Sequence, residues 1–139
     1  MEQGALHLPD VEWTVTRPFW AGCREGILRM PRCACGAYVW YPQPRCPACR
    51  GIEIEWQPVS GNGKLFTWTT VYRSFIPAYA ERVPYITGIV ELVESPSLRL
   101  TSLLVGTEQG RLAIGLPVRV QFEKIADEIV LPVFTPATS

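Results

Sequence analysis

The sequence is poor in several features that mark common protein classes. Its 139 residues include a single histidine, His7, close to the N-terminus. There is no apolar run of about 18 residues, so no membrane-spanning helix is predicted. The opening residues, MEQGALHLPDVEW, lack a basic start followed by an apolar run and do not predict a signal peptide. We therefore expect a cytoplasmic protein, in which clustered cysteines indicate metal or redox chemistry more often than disulfides.

Recognisable catalytic sets are scarce as well. With one histidine, the chain offers no Ser-His-Asp set and no Cys-His pair. It has no glycine-rich phosphate loop, because Gly61-Asn62-Gly63 is better explained as a turn before a strand. We assign no catalytic residues. This scarcity predicts a chain that needs a partner for chemistry.

Charge is balanced overall but unevenly distributed. Thirteen basic and thirteen acidic side chains give a net charge of zero, yet residues 24–50 carry five arginines against Glu25 alone. This basic segment predicts either a site for phosphate, on nucleic acid or a nucleotide-like cofactor, or a small exposed module with solvated arginines.

Residues 1–30 are predicted to form a loose arm followed by a short helix over residues 16–30. Thr16 is a suitable N-cap, Pro18 lies in the first turn and Gly26 can end the helix. An apolar face is predicted from three- and four-residue spacing of Phe19, Trp20, Cys23 and Ile27. Cys23 on this face is expected to be a buried apolar residue rather than a fifth metal ligand.

Residues 31–52 hold the other four cysteines and predict a metal-binding ribbon. Cys46 and Cys49 have the C-x-x-C spacing of a knuckle, whereas Cys33 and Cys35 are one residue closer. In extended backbone their alpha carbons would lie roughly 6.6 Å apart, while thiolates on one zinc lie within about 4 Å. Gly36 can supply the bend that this needs. We expect a structural Zn2+ held by all four thiolates; a three-cysteine site completed by another group and a metal-free, partly oxidised ribbon remain open.

Residues 53–139 predict a small barrel, because the period changes to two and strand formers dominate. Five strands, with an insert between the third and the fourth, indicate an oligonucleotide/oligosaccharide-binding (OB) fold, and a sandwich is the alternative. Gly88 inside the second strand indicates a bulge or bend. The fold class is thus mainly β: a short N-terminal helix, a zinc ribbon, then a five-stranded OB-fold barrel.

The order and spacing of these segments resemble the "domain of unknown function 35" family over roughly residues 17–136. The segments that carry the resemblance are PFWAGCREGIL, CACGAYVWYPQPRCPAC, GNGKLFTWTTVYR, VPYITGIVELVE, IGLPVRVQFE and LPVFTP. The resemblance implies that the ribbon is rubredoxin-like. The first knuckle departs from the family's C-x-x-C, and Arg32 falls where the family's first cysteine would fall.

What the resemblance implies is an accessory subunit of a hetero-oligomer. Its partner would be a thiolase-fold protein acting on acyl-CoA, such as a thiolase or the lipid-transfer-protein thiolase-like aldolase of steroid side-chain degradation, with a link to a MaoC-like hydratase. Acyl-CoA would be the substrate of the complex. Claisen condensation, thiolysis and retro-aldol cleavage all remain open, and a steroid side-chain aldolase partner is favoured.

The loop RSFIPAYAERVPY, residues 73–85, is expected to face the partner or the acyl-CoA, because solvated loops rarely carry so many apolar groups and OB folds often bind through this connection. The alternative is that its aromatic residues plug the open end of the barrel. The candidate residues are Arg73, Phe75, Ile76, Tyr79, Arg82 and Tyr85.

Two other function classes remain open. A single-stranded nucleic-acid-binding OB protein would stack bases on Phe66, Trp68 and Tyr72, which alternation places on one strand face. The net acidic barrel segment disfavours that class. A rubredoxin-like electron carrier would hold iron in the four thiolates, which the C-x-C spacing disfavours.

Overall fold

One short helix and seven strands make up the described part of the chain. The structure is a computed structural model that describes residues 8–73 and 82–137. In chain order the elements are α1 (Arg17–Glu25), β1 (Arg29–Cys33), β2 (Ile54–Pro58), β3 (Asn62–Val71), β4 (Tyr85–Leu92), β5 (Arg99–Leu104), a 3-10 turn (Gln109–Arg111), β6 (Pro117–Ala126) and β7 (Ile129–Pro136).

Helix α1 is shorter than the predicted span of residues 16–30. Gly26 ends it with a left-handed φ of 76°, which glycine adopts without steric cost, as predicted. Thr16 occupies the N-cap position but makes no capping hydrogen bond with its side chain. Phe19 and Cys23 are buried on the inner face of the helix. The spacing predicted that Ile27 lies on the same helix face. In the structure Ile27 lies beyond the end of α1, because the chain turns at Gly26 towards β1.

Strands β1 and β2 form a two-stranded antiparallel sheet at the base of the ribbon. Cys33 pairs with Ile54 and Arg29 pairs with Pro58. The chain between these strands carries Cys35, Cys46 and Cys49. The sheet thereby fixes both ends of the cysteine-bearing loop. The division of the chain at residues 30/31 and 52/53 stays a prediction.

The remaining five strands close into a barrel with the order β3-β4-β5-β7-β6. The long strand β3 closes it by pairing with β4 along most of its length and with β6 at Asn62–Lys64. A hairpin joins β4 to β5, and the 3-10 turn lies between β5 and β6. This is the predicted OB-fold barrel with its insert between the third and fourth barrel strands.

A β-bulge in β3 changes which side chains face the core. The register shifts between Leu65 and Thr67, which makes Phe66 the extra residue. Phe66 is exposed, and the Arg99 guanidinium lies 4.0 Å from the centre of its ring. Trp68 packs against the core instead. The expectation that these two aromatic residues share one face is therefore wrong, because the bulge reverses the alternation.

The main core is continuous from the barrel to the base of the ribbon. Phe134, Leu65 and Val90 fill the barrel, and Phe19 and Met30 extend the same cluster to α1 and β1. A second, much smaller buried cluster belongs to the ribbon itself and is described with the cysteines below. Within residues 8–73 and 82–137, no helix has the length and hydrophobicity that a membrane crossing requires.

Candidate metal centre

The first cysteine knuckle is a tight turn that begins at the end of β1. The Gly36 backbone N–H donates to the Cys33 carbonyl at 2.8 Å, and the Cys33 N–H donates to the Ala37 carbonyl at 2.8 Å. Gly36 has a φ of 99°, a left-handed value that favours glycine. The bend predicted at Gly36 is present, so the closely spaced Cys33 and Cys35 need not lie on extended backbone.

Arg32 holds this turn in place, a role that sequence reasoning missed. Its Nε donates to the Gly36 carbonyl at 3.0 Å, and its guanidinium lies 4.8 Å from the centre of the Tyr38 ring. The resemblance aligns Arg32 with the first cysteine of the family's knuckle. In this chain the arginine at that position supports the turn instead of binding the metal. The Arg-x-x-x-Gly spacing carries no recognised signal, so only the fold reveals this contact.

The second knuckle contains the C-x-x-C pair in a hydrogen-bonded turn. The Arg50 N–H donates to the Cys46 carbonyl at 2.7 Å, and the Cys46 N–H donates to the Gly51 carbonyl at 2.9 Å. The Gly51 N–H points at the Cys49 Sγ, 3.3 Å away. These three backbone contacts hold Cys46 and Cys49 in one turn.

The two knuckles bring the four predicted ligands together. The Sγ atoms of Cys33, Cys35, Cys46 and Cys49 all lie within 4.8 Å of one another. The Cys33–Cys49 and Cys35–Cys46 sulfur distances are 3.5 and 3.8 Å. A tetrahedron with zinc–sulfur bonds of about 2.3 Å has sulfur–sulfur edges of about 3.8 Å. The four sulfurs therefore fit one tetrahedral ion with small adjustments. Cys23 lies apart from them in the main core.

The acidities of the thiols show why this cluster favours a cation. The backbone N–H of Cys49, with that of Ala48, lowers the pKa of Cys46 to about 7. The N–H of Cys35 also lowers the pKa of Cys33, but burial and hydrogen bonds to the neighbouring sulfurs outweigh it and raise that pKa to about 12. Crowded sulfurs cannot all ionise without a compensating charge. A divalent ion would let them do so together.

The arginines of the basic segment are largely engaged within the chain. Arg24 pairs with Glu128 at 3.6 Å and Arg29 with Glu25 at 3.1 Å. Arg45 donates to a backbone carbonyl in the second knuckle at 3.1 Å. These contacts favour the interpretation as a solvated, internally paired module over a phosphate site. A zinc ion bound by four thiolates has a net charge of −2. The excess of arginines over acidic residues in residues 24–50 would balance that charge.

The described ends of the predicted partner loop are exposed. Arg73 and Arg82 are exposed, and Tyr85 is half-buried at the start of β4. Tyr72, next to Arg73, is 68% exposed, and its hydroxyl donates to Gln109 at 3.0 Å. The other predicted residues of this loop, Phe75, Ile76 and Tyr79, lie outside the described residues.

Taken together, a four-cysteine ribbon and a closed five-stranded barrel define a zinc-ribbon/OB-fold protein. Family models agree with that class. The model described as "ChsH2, rubredoxin-like zinc ribbon domain" matches residues 20–55, and "ChsH2, C-terminal OB-fold domain" matches residues 56–123.

Curated relatives identify the family. A DUF35 domain-containing scaffold protein of Pyrococcus furiosus is 30% identical over 78% of this chain and 79% of its own length. The chain belongs to this family, the DUF35 family.

Two hydratase subunits are also similar to this chain. The chain is 31% identical, over 86% of its length, to a probable enoyl-CoA hydratase alpha subunit of Thermomonospora curvata. It is 30% identical, over 78%, to the 3-oxo-4,17-pregnadiene-20-carboxyl-CoA hydratase alpha subunit of Mycobacterium tuberculosis. The chain spans 37% and 34% of those two subunits, about a third of each.

A solved structure resembles nearly the whole chain. A chain of the Ltp2-ChsH2(DUF35) aldolase superposes with a TM-score of 0.84 and 27% identity. The match covers 94% of this chain and all of that one.

Proposed function

We propose that this protein is a non-catalytic accessory subunit that binds a thiolase-superfamily partner acting on acyl-CoA. The observation that carries the proposal is the match of 94% of this chain to a chain of the Ltp2-ChsH2(DUF35) aldolase. The scaffold proteins among the curated relatives support the accessory role. The partner's reaction in this proposal is retro-aldol cleavage of a steroid side chain, and thiolysis is the alternative. The pregnadiene-carboxyl-CoA hydratase relative supports steroid acyl-CoA chemistry and a hydratase link.

The metal in this proposal is a structural zinc ion held by Cys33, Cys35, Cys46 and Cys49. The sulfur distances of 3.5 and 3.8 Å and the ribbon-family match support it. All-thiolate coordination leaves no open position for water or substrate. The ion would therefore hold the ribbon together and would not take part in the partner's chemistry.

The partner-facing surface in this proposal is the loop of residues 73–85, where it would help to form or cover the acyl-CoA site. Its described flanks support this placement. Tyr72 presents an exposed ring beside the exposed Arg73, and Arg82 offers a second cation at the other end. Exposed aromatic and arginine side chains are enriched in protein interfaces.

The test uses a double substitution in the loop and a matched control. Phe75→Ser with Tyr79→Ser removes two apolar groups from the proposed interface. Val93→Ser with Ile114→Ser removes two apolar side chains that are 67% and 77% exposed elsewhere on the molecule. Each tagged variant is expressed in the source organism, purified, and weighed by native mass spectrometry.

We expect the loop variant to stay folded and to lose a thiolase-sized partner that the wild type and the control retain. Retention of that partner by a folded loop variant would contradict the proposed surface. Unfolding of the loop variant would instead support the alternative in which these aromatic residues plug the barrel. Recovery of nucleic acid, with no protein partner, by the wild type would contradict the accessory role itself.

A further inference from the structure

A cavity of about 420 Å³ lies where helix α1, the ribbon and the barrel meet. Phe19 and Trp20 of α1 and Trp40 and Tyr41 of the ribbon form an aromatic wall on one side. The rings of Phe19 and Trp40 are centred 5.4 Å apart, and those of Trp40 and Tyr41 4.9 Å apart. Strands β5 and β7 of the barrel form the opposite side. The cavity takes in neither the metal centre nor the proposed partner loop.

The barrel side of the cavity lies over the seam between β5 and β7, which has the shortest ladder in the closed barrel. These two described strands pair only at Leu104 and Phe134. Two residues before Phe134 stands Pro132, which has no N–H to donate to the next position of the ladder. Its carbonyl accepts a hydrogen bond from the Ser102 side chain at 2.9 Å instead. Residues of both strands beside this short ladder line the cavity.

The lining selects for an uncharged occupant. None of the described residues that line the cavity is acidic, basic or histidine. Three of its hydroxyl groups already donate within the chain: Tyr41 to Thr101 at 3.3 Å, Thr87 to the Ser102 carbonyl at 3.3 Å, and Ser102 to Pro132. A charged group placed here would lose its hydration without gaining a partner. A hydrocarbon group would gain contact with aromatic and aliphatic side chains.

The volume sets the size of that occupant. An apolar cavity of about 150 Å³ accepts benzene, so this one has room for on the order of fifteen carbon atoms. The volume of the cavity falls within the usual range for small-molecule sites, about 300–1,000 Å³. We propose that this junction cavity is a binding site for a neutral small molecule, or part of one, that is mainly hydrocarbon. The site belongs to this chain alone, so the inference goes beyond the accessory role and does not depend on the partner.

The probe that tests this is N-phenyl-1-naphthylamine, an uncharged aromatic amine that fluoresces in apolar surroundings. Titrated into the purified zinc-loaded chain, it is expected to bind once and saturably, and to quench tryptophan emission because Trp20 and Trp40 line the cavity. In competition, the affinity of 1-alkanols is expected to rise roughly fourfold per methylene from hexanol to decanol. Decanoate should compete far more weakly, because its charge would have to be buried.

Matched variants locate the binding. Thr101→Phe places a ring in the cavity from an exposed position on β5, and Thr67→Phe makes the same change at an exposed position on β3 outside the lining. We expect the first to weaken probe binding about tenfold or more by occupying apolar volume. The second should bind as the wild type does. Equal binding by the two folded variants, non-saturable binding, or affinity independent of chain length would each overturn the proposal.

A measurement on the wild type covers the case in which Thr101→Phe does not fold. Methyl NMR should show shifts for Leu103, Leu131 and Val133 when the probe is added. The methyl groups of Leu65 and Leu92, which lie in the core outside the cavity lining, should stay in place. Shifts confined to those core methyls, or no shifts at all, would contradict the assignment of the site.

Discussion

The substitution Cys35→Ser tests whether the short first knuckle contributes a zinc ligand. Structural zinc sites bind with about 10–16 kcal/mol, which divided over four thiolates is roughly 2.5–4 kcal/mol each. A serine hydroxyl stays protonated near neutral pH and is a poor replacement. We therefore expect zinc affinity to fall about a hundredfold to a thousandfold. The control is Ala34→Ser, which adds a hydroxyl at the adjacent exposed position and leaves all four sulfurs in place.

Loss of the ion is also expected to unfold the ribbon, because its own core is too small. The ribbon cluster consists of Cys33, Val39 and Cys46, with Ala37 and Ile54 against it. Burying Val39 contributes about 1.5–3 kcal/mol. Ordering the twenty residues 34–53 costs at least about 20 kcal/mol of conformational entropy. The entropy cost therefore exceeds the gain from burial. Hydrogen bonds and the few aromatic contacts with the main core are too small to offset that excess without the free energy of metal binding.

Amide hydrogen exchange measures both effects. After zinc removal, or in Cys35→Ser at limiting zinc, the N–H groups of Cys46 and Arg50 should lose the protection that their hydrogen bonds give. The N–H groups of Leu65 and Val120, bonded at 2.8 and 2.9 Å in the barrel, should stay protected. Wild-type zinc affinity in Cys35→Ser would refute the four-thiolate site, and full ribbon protection in the metal-free chain would refute the need for the ion in folding the ribbon.

Three further predictions concern the barrel and the helix. Gly88→Ala should lower the free energy of unfolding in urea by about 1–3 kcal/mol, because the new methyl would lie 2.8 Å from a backbone oxygen of β3. Gly110→Ala, where the methyl meets open space, should change it little, and equal losses would contradict the packing argument. Burial raises the pKa of Cys23 to about 12, whereas chelation should unfold the ribbon and expose its four thiols, so iodoacetamide should modify four cysteines after chelation at pH 8, and five only after denaturation. Below the unfolded pKa of about 8.5 the Cys23 thiol is protonated in both states, and above it only the unfolded chain ionises until the folded pKa is reached. The wild type should therefore lose stability as pH rises from about 9 to 11, and Cys23→Ala should lose less. Arg99→Ala, which removes a contact with the Phe66 ring and an exposed ion pair, should cost no more than about 1 kcal/mol in the same urea titration, and a larger loss would show that this surface supports the barrel.

The nucleic-acid interpretation loses its main structural support in the bulge of β3. It needs a row of exposed rings, yet Trp68 packs against the core while Phe66 is covered on one side by Arg99. Arginines of the basic segment are paired with Glu25 and Glu128 rather than free for phosphate. In the part of the barrel that the structure describes, the exposed rings are Phe66 and Tyr72, which do not form the row of stacking surfaces that single-strand binding uses.

The sequence by itself determined the local elements of this protein. Gly26 ended the helix because glycine accepts a left-handed φ, and Gly36 bent the first knuckle for the same reason. Alternating strand formers specified five barrel strands, since period-two patterns leave little choice of backbone. The four cysteines specified a ribbon through their spacing, even with one knuckle shortened.

Only the tertiary structure decided the features that depend on distant residues. Arg32 supports the short knuckle through a turn that the fold creates. The bulge at Phe66 reversed the faces of β3, because pairing with β4 and β6 sets its register and no local signal marks the extra residue. Pro132 lies beside β5, a strand some thirty residues earlier in the chain, and α1 and the ribbon enclose a cavity over the short ladder between β5 and β7. Local propensities act over a few residues, whereas register and cavities arise only when whole elements pack.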